Sequence, residues 1–154
     1  MSNSKIIKVK LQHAQQYAVE RMEQLALEDW RFEFDNAIRR FGACHHTERK
    51  ITISRKLTEL NDVADVQDTI LHEIAHALAG ASNGHNEIWK RYARLIGAKT
   101  NRCYSGKDIK TPKSKWLLLC QKGCEIKRHR KPADVSNYQC KKHKSSLIVK
   151  LNEE

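Results

Sequence analysis

Two histidines and a glutamate stand at a spacing that suits metal-dependent hydrolysis. The segment DTILHEIAHALAGASNGHNEIW, residues 68–89, contains HEIAH, with His72 and His76 four residues apart. On a helix of 3.6 residues per turn, both imidazoles lie on one face and offer a pair of metal ligands. Glu73 lies about 100° further round that helix, where its carboxylate can reach a metal-activated water without binding the metal. The pattern predicts a zinc site with Glu73 as general base.

A catalytic zinc site normally has three protein ligands and one open position, so a third ligand is required. His85 is the expected third ligand, because Gly80 and the Asn83-Gly84 pair allow the chain to reverse before a second helix. Glu87 is the alternative, since a carboxylate can also bind zinc.

The metal helix needs elements that hold it in place. An apolar stripe from Ile70 to Ala81 follows helical spacing on the side away from the histidines and predicts that this side faces the core. Asp65 or Asp68 is expected to cap the start of the helix. Upstream, apolar positions between residues 11 and 27 predict a packing helix.

Three short stretches before the metal helix predict strands. Residues 30–35 alternate aromatic and charged side chains, and residues 43–48 and 50–54 follow as two more strands. We expect a small antiparallel meander. His45 and His46 are interpreted as non-ligands, because adjacent strand residues face opposite sides.

Charge is divided unevenly along the 154 residues. Residues 1–98 hold 14 Lys/Arg against 13 Asp/Glu, whereas residues 99–154 hold 15 against 5. A linker-like run, Ser105-Gly-Lys-Asp108 and then Thr111-Pro112, predicts a boundary between a zinc-dependent catalytic domain at 1–105 and a basic subdomain at 106–154. The positive charge of the second part predicts a polyanion partner, most often nucleic acid; the alternative is a solubilising tail. No N-terminal signal-like segment or membrane span is visible, so we expect an intracellular protein, cytoplasmic or nucleic-acid-associated, that is neither secreted nor bound to membrane.

The cysteines of the basic segment have metal-ligand spacing. Five cysteines without a secretory signal favour metal ligands and free thiols over disulfides. Two ligand pairs lie fifteen residues apart and predict a structural zinc ribbon: Cys120 with Cys124, and Cys140 with His143. His129 or Cys103 could replace His143 as the fourth ligand.

Aromatic residues are interleaved with the cations of this segment. Arg128, Arg130 and Lys131 lie in the same stretch of chain as Trp116 and Tyr138. Rings among cations suit single-stranded nucleic acid, in which bases stack and phosphates pair. The alternative is that both rings belong to the core of the ribbon.

Four runs follow one another along the chain, before a cysteine-bearing tail: WRFEFDNAIRRFGACHH, ITISRKL, DTILHEIAHALAG and GHNEIWKRYARLIGA. This ordered set resembles the SprT-like metalloproteases, which include the Spartan proteases. The resemblance implies a zincin-like α+β fold with helices on a small antiparallel sheet. It places the zinc ligands at His72, His76 and His85 and the catalytic glutamate at Glu73. Spartan proteases degrade proteins crosslinked to DNA, so the resemblance implies protein substrates and a DNA partner.

Two features argue against the metzincin group of zinc proteases. Met1 and Met22 are the only methionines, so no Met-turn can follow the third histidine, and position 82, where a metzincin has that histidine, is Ser82. The ribbon departs from the family's four-cysteine form by a longer first knuckle and by a histidine as last ligand. Two alternatives stay open: a non-catalytic zinc-stabilised nucleic-acid-binding protein, and a general peptidase indifferent to DNA.

Overall fold

The computed structural model of the chain describes residues 2–100 and 109–153. The chain divides into two units, Met1–Pro112 and Lys113–Glu154. The boundary predicted between residues 105 and 106 lies outside the described residues. Within the described ranges, each helix is too short or too polar to cross a bilayer.

The first unit has an α+β architecture of four helices and three strands in its described part. Helix α1 begins at Asn3, earlier than the sequence predicts. Strands β1 and β3 lie within a residue of the predicted stretches, and β2 ends at His45, three residues before the predicted end. The elements in chain order are α1 (Asn3–Gln24), β1 (Arg31–Asp35), β2 (Gly42–His45), β3 (Lys50–Ser54), α2 (Arg55–Leu60), α3 (Val63–Ala79) and α4 (Glu87–Ile96).

The sheet of this unit is mixed, so the predicted antiparallel meander is wrong. Its strand order is β1-β3-β2, with β1 parallel and β2 antiparallel to β3. β3 takes the centre because it is the strand that can be buried on both faces: Ile51 and Ile53 are fully buried on one face, and Thr52 and Ser54 are buried on the other. This order leaves β2 at an edge, where it packs against α3.

Helix α3 has the apolar face that its spacing predicts. Ile70 and Ile74 are fully buried, and the core includes the α1 residues Ala14, Ala18 and Met22. The stripe ends before Ala81, which is exposed and lies beyond the last helical residue.

The predicted cap of α3 is wrong because the helix begins earlier than the spacing suggests. Asp62 is the N-cap residue, and its side chain makes no capping hydrogen bond. Asp65 therefore lies within the first turn. Asp68 lies deeper in the helix, where its Oδ1 accepts a hydrogen bond of 2.8 Å from the backbone N–H of Lys99.

The second unit is built on a separate antiparallel sheet of order β5-β4-β6. Its small core contains Leu118, Leu147 and two cysteines, Cys120 and Cys140. So few apolar side chains give little burial energy, and units of this size usually need a metal or disulfides. The elements are β4 (Trp116–Cys120), β5 (Glu125–Arg128), a 3-10 turn (Val135–Asn137) and β6 (Leu147–Leu151).

Candidate active site

Three half-buried imidazoles of the first unit converge. The Nε2 atom of His85 lies 2.9 Å from Nε2 of His72 and 3.1 Å from Nε2 of His76. Nitrogen ligands on a tetrahedral zinc ion stand about 3.3 Å apart, given Zn–N bonds of about 2.05 Å. The structure thus brings together the three histidines that the sequence predicts as ligands. Glu87 is not part of the group; its carboxylate lies 2.7 Å from Lys90 Nζ in solvent.

A short loop carries His85 back over α3. Gly80 ends the helix with φ +88°, a left-handed value that a side chain would oppose. Asn83 then donates a hydrogen bond of 2.7 Å to the carbonyl of Ala79, and Asn86 donates one of 2.8 Å to Oδ1 of Asn83. Asn86 Oδ1 also accepts from the backbone N–H of Trp89 and so caps α4. These bonds fix His85 between the two helices.

The indole of Trp89 packs against all three histidine rings. Its indole is fully buried, and the ring centroids lie 4.7 Å from His72, 5.3 Å from His76 and 4.6 Å from His85. Trp89 shares helical spacing with Ala93 and Ile96, which are also buried, so spacing alone is enough to place it on the inner face of α4. Contact with every ring of the trio depends on how α4 packs on α3, which spacing does not reveal.

The electrostatics of the trio suit a cation. Burial first, and neighbouring histidines second, lower the pKa of His72 and of His76 to about 4 in the metal-free chain. The rings are therefore neutral at physiological pH, which is the form that binds a metal. The lone pairs of nitrogens this close repel one another unless they share a proton or a metal ion. Three imidazole nitrogens fit zinc as ligands.

Glu73 is buried beside the trio, with only 7% of its surface exposed. Burial raises the pKa of its carboxyl to about 8 in the metal-free chain, and the positive charge of Arg40 opposes this shift. The backbone of β2 passes unusually close to the side chain: a Cβ on Gly42 would lie 2.7 Å from both Cγ and Oε1 of Glu73. Sequence reasoning missed Gly42, because its role depends on strand β2 packing against α3.

The second unit holds another cluster of metal-ligand type. Nδ1 of His143 lies 3.4 Å from the sulfurs of Cys120 and Cys124 and 3.7 Å from that of Cys140. Sulfur and nitrogen ligands on a tetrahedral zinc stand about 3.6 Å apart. His129 is not part of this group, and the other alternative, Cys103, lies outside the described residues.

The thiols of this cluster are free and electrostatically linked. Hydrogen bonds from the Ser145 hydroxyl and the Lys122 backbone N–H lower the pKa of Cys120 to about 6 and favour the thiolate that binds zinc. Burial, followed by the neighbouring thiols, raises the pKa of Cys124. Cys120 and Cys124 therefore cannot both ionise easily without a cation.

The predicted nucleic-acid residues lie partly on the surface of the second unit. Nζ of Lys131 stands 5.2 Å from the Trp116 ring, and the Arg128 guanidinium stands 5.7 Å from the Tyr138 ring. Arg130 and Lys131 are exposed, and Tyr138 is 39% exposed. Both rings lie outside the apolar core cluster. Both are within reach of solvent as well as of cations.

Comparison with known families gives a match over most of the first unit. The model described as the SprT-like family covers residues 9–111, which are 103 of the 154 residues. The match includes the histidine trio and Glu73 and ends before the cysteine cluster. Neither the curated proteins nor the solved structures include a significant match to the chain.

Proposed function

The chain belongs to the SprT-like family, which is related to the zinc metalloproteases, and on this premise we propose that it is a zinc-dependent metallopeptidase with a zincin-like catalytic unit. The observation that carries the proposal is the convergence of His72, His76 and His85 beside the buried carboxylate of Glu73. A purely structural metal site needs no general base, so the position of Glu73 favours catalysis.

The chemistry divides between the metal and the chain. A zinc ion on the three imidazoles would supply a Lewis acid that activates water and polarises a peptide carbonyl. Glu73 takes a proton from the attacking water and passes it to the leaving amine. A general base is most effective when its pKa lies near the working pH, and burial moves Glu73 from its ordinary range in that direction. Trp89 keeps the three imidazoles in place and excludes water from beneath them.

Strand β2 offers a place for the substrate backbone. It is an edge strand among the described residues, and the backbone at its Gly42 passes close to the side chain of Glu73. An extended peptide that pairs with the outer edge of β2 would therefore run past the base. Backbone pairing of this kind recognises the substrate without demanding a particular side chain.

Digestion of casein by wild type, Glu73→Gln and Glu87→Gln tests the catalytic assignment. The Glu73 variant is expected to keep its zinc and to lose cleavage, since the amide cannot accept the proton. Glu87→Gln is the matched control, because that carboxylate is exposed and outside the trio. A chelator should abolish wild-type cleavage. Retained proteolysis in Glu73→Gln would refute the role of the base.

We further propose that the second unit holds a structural zinc on Cys120, Cys124, Cys140 and His143 and binds DNA, single strands included. The substrates would then be proteins bound or crosslinked to DNA. Support comes from the geometry of the ligand cluster and from the cations beside Trp116 and Tyr138. Bases can stack on such rings while phosphates pair with Arg and Lys.

Charge reversal tests the DNA interface. Replacement of Arg128, Arg130 and Lys131 together by glutamate should weaken single-stranded DNA binding. The slope of log affinity against log salt concentration should become shallower by about 0.7 for each phosphate that the variant no longer neutralises. The matched control makes the same charge change at three exposed lysines of the first unit, Lys5, Lys8 and Lys56. An equal fall in affinity in both triple variants would point to net charge alone.

Cleavage assays with and without DNA separate the rival functions. Cleavage stimulated by single-stranded DNA supports a DNA-directed peptidase. Equal cleavage without DNA supports a general peptidase. DNA binding with no cleavage of any protein supports a zinc-stabilised nucleic-acid-binding protein.

A further inference from the structure

The edge strand β2 presents a second set of reactive side chains to the catalytic helix. Alternate residues of a strand share a face, and the face that begins with Gly42 continues through Cys44 to His46, directly after the strand. Gly42 and Cys44 pair with the core residues Ile53 and Ile51 of β3, so this face is turned inward. The side chain of Glu73 lies opposite this face, because a Cβ on Gly42 would stand 2.7 Å from it.

Cys44 continues this line toward the histidines. Burial raises the pKa of its thiol to about 12, and the negative charge of Glu73 adds to the effect, so the thiol is close to that base and stays protonated. The Sγ atom lies 3.6 Å from Nε2 of His46. This contact holds the imidazole against Cys44.

His46 itself lies beside the catalytic helix, because it directly follows β2, whose Gly42 approaches Glu73 of α3. Its charge contributes to lowering the pKa of His76, yet its nitrogens are not within the ligand group found among the described residues. The indole of Trp30 packs edge-on against the ring, with centroids 5.7 Å apart. The side chain is half-buried, so it is both oriented and accessible. A hydrogen-bond donor thus stands beside the site without binding the metal.

We propose that His46 is a further catalytic residue, whose ring N–H donates a hydrogen bond to the carbonyl oxygen of the scissile peptide bond. The inference rests on the proposed peptidase function. As water adds to the carbonyl carbon, the π electron pair moves to oxygen, and the imidazole stabilises the resulting negative charge. When the C–N bond breaks, the electron pair on oxygen re-forms the C=O bond of the carboxyl product. The leaving amine takes the proton carried by Glu73. His46 ends the cycle with its own proton.

The test compares His46→Ala, His46→Asn and His46→Gln with His45→Ala. His45 is the matched control, because it is the neighbouring histidine but faces the other side of the strand, with Nε2 3.3 Å from Thr52 Oγ1. Loss of a hydrogen bond to a developing oxyanion lowers kcat by about 10²–10³-fold. We expect that fall in His46→Ala, with KM changed less than about threefold and zinc content unchanged. Asn and Gln place an N–H near Nδ1 and Nε2 respectively, so one of them should restore part of the rate.

A binding measurement gives a readout apart from turnover. A phosphinic peptide carries a tetrahedral, negatively charged centre, and calorimetry should show that His46→Ala binds it about 10²-fold more weakly than wild type. An intact peptide should bind equally well to Glu73→Gln and to the double variant with His46→Ala. Wild-type kcat in His46→Ala, an equal fall in His45→Ala, a change in KM alone or loss of zinc would each overturn the role.

The two proposals fail in different ways. If wild type hydrolyses no peptide, the proposed function fails, and equal phosphinic-peptide affinity in wild type and His46→Ala then overturns the oxyanion contact as well. If wild type is active and His46→Ala is its equal, only the inference about His46 fails.

Discussion

Replacement of Gly42 by alanine tests how the sheet positions the catalytic base. The new Cβ would stand 2.7 Å from both Cγ and Oε1 of Glu73, whereas ordinary contacts begin at 3.4 Å. The carboxylate must therefore move by about 0.7 Å or more, and it is too buried to swing into solvent. Misplacement of a reacting group by about 1 Å can cost about 10²-fold in rate. We expect kcat to fall between about 10- and 100-fold.

Peptide hydrolysis by Gly42→Ala and Gly84→Ala provides the assay. A Cβ on Gly84 meets no atom within 4 Å, so this variant controls for the loss of a glycine. In Gly42→Ala the zinc content should remain at the wild-type level, because the three histidines are untouched. Wild-type kcat in Gly42→Ala, or an equal fall in Gly84→Ala, would refute the idea that the approach of β2 sets the position of Glu73.

Three further predictions concern stability and metal binding. The folded pKa of Glu73 is raised from 4.5 to about 8, so its carboxyl contributes a loss of about 1.4 kcal/mol of unfolding free energy for each pH unit between those values; in urea titrations of the metal-free proteins, the stability of wild type relative to Glu73→Gln should fall with this slope as the pH rises, and parallel curves would contradict the pKa. Cys140→Ser should unfold the second unit locally and release one zinc, detectable by hydrogen exchange and metal analysis, and unchanged protection would argue against a structural zinc. Asn86→Ala removes the cap of α4 and a support of His85, so calorimetry should show a loss of about 1 kcal/mol and competition with a chelator should show weaker zinc binding; an unaltered variant would remove Asn86 from the support of the site.

The spacing of HEIAH and the reversal at Gly80 were enough to predict which histidines converge. Their positions follow from helical periodicity, a local property that any sequence displays directly. The cysteine cluster was predictable for a similar reason, because ligand pairs within one knuckle are close in sequence. His143 rather than His129 faces the three sulfurs among the described residues, and that choice depends on the fold of the ribbon.

The sheet and the contacts that depend on it could not be predicted in this way. The strands were found from their alternation, but alternation does not tell which strand lies in the centre. The parallel pairing of β1 with β3 places β2 at the edge beside α3. The contact of Gly42 with Glu73 and the position of His46 follow from that placement. Both depend on packing between elements that are distant in sequence, which residue spacing along the chain does not predict.

The most direct test of the central claim is a zinc count by elemental analysis on wild type, His85→Ala and Glu87→Ala. The account predicts two zinc ions per chain in wild type, one in His85→Ala and two in Glu87→Ala. Two zinc ions retained in His85→Ala, or one lost in Glu87→Ala, would contradict a catalytic metal held by His72, His76 and His85.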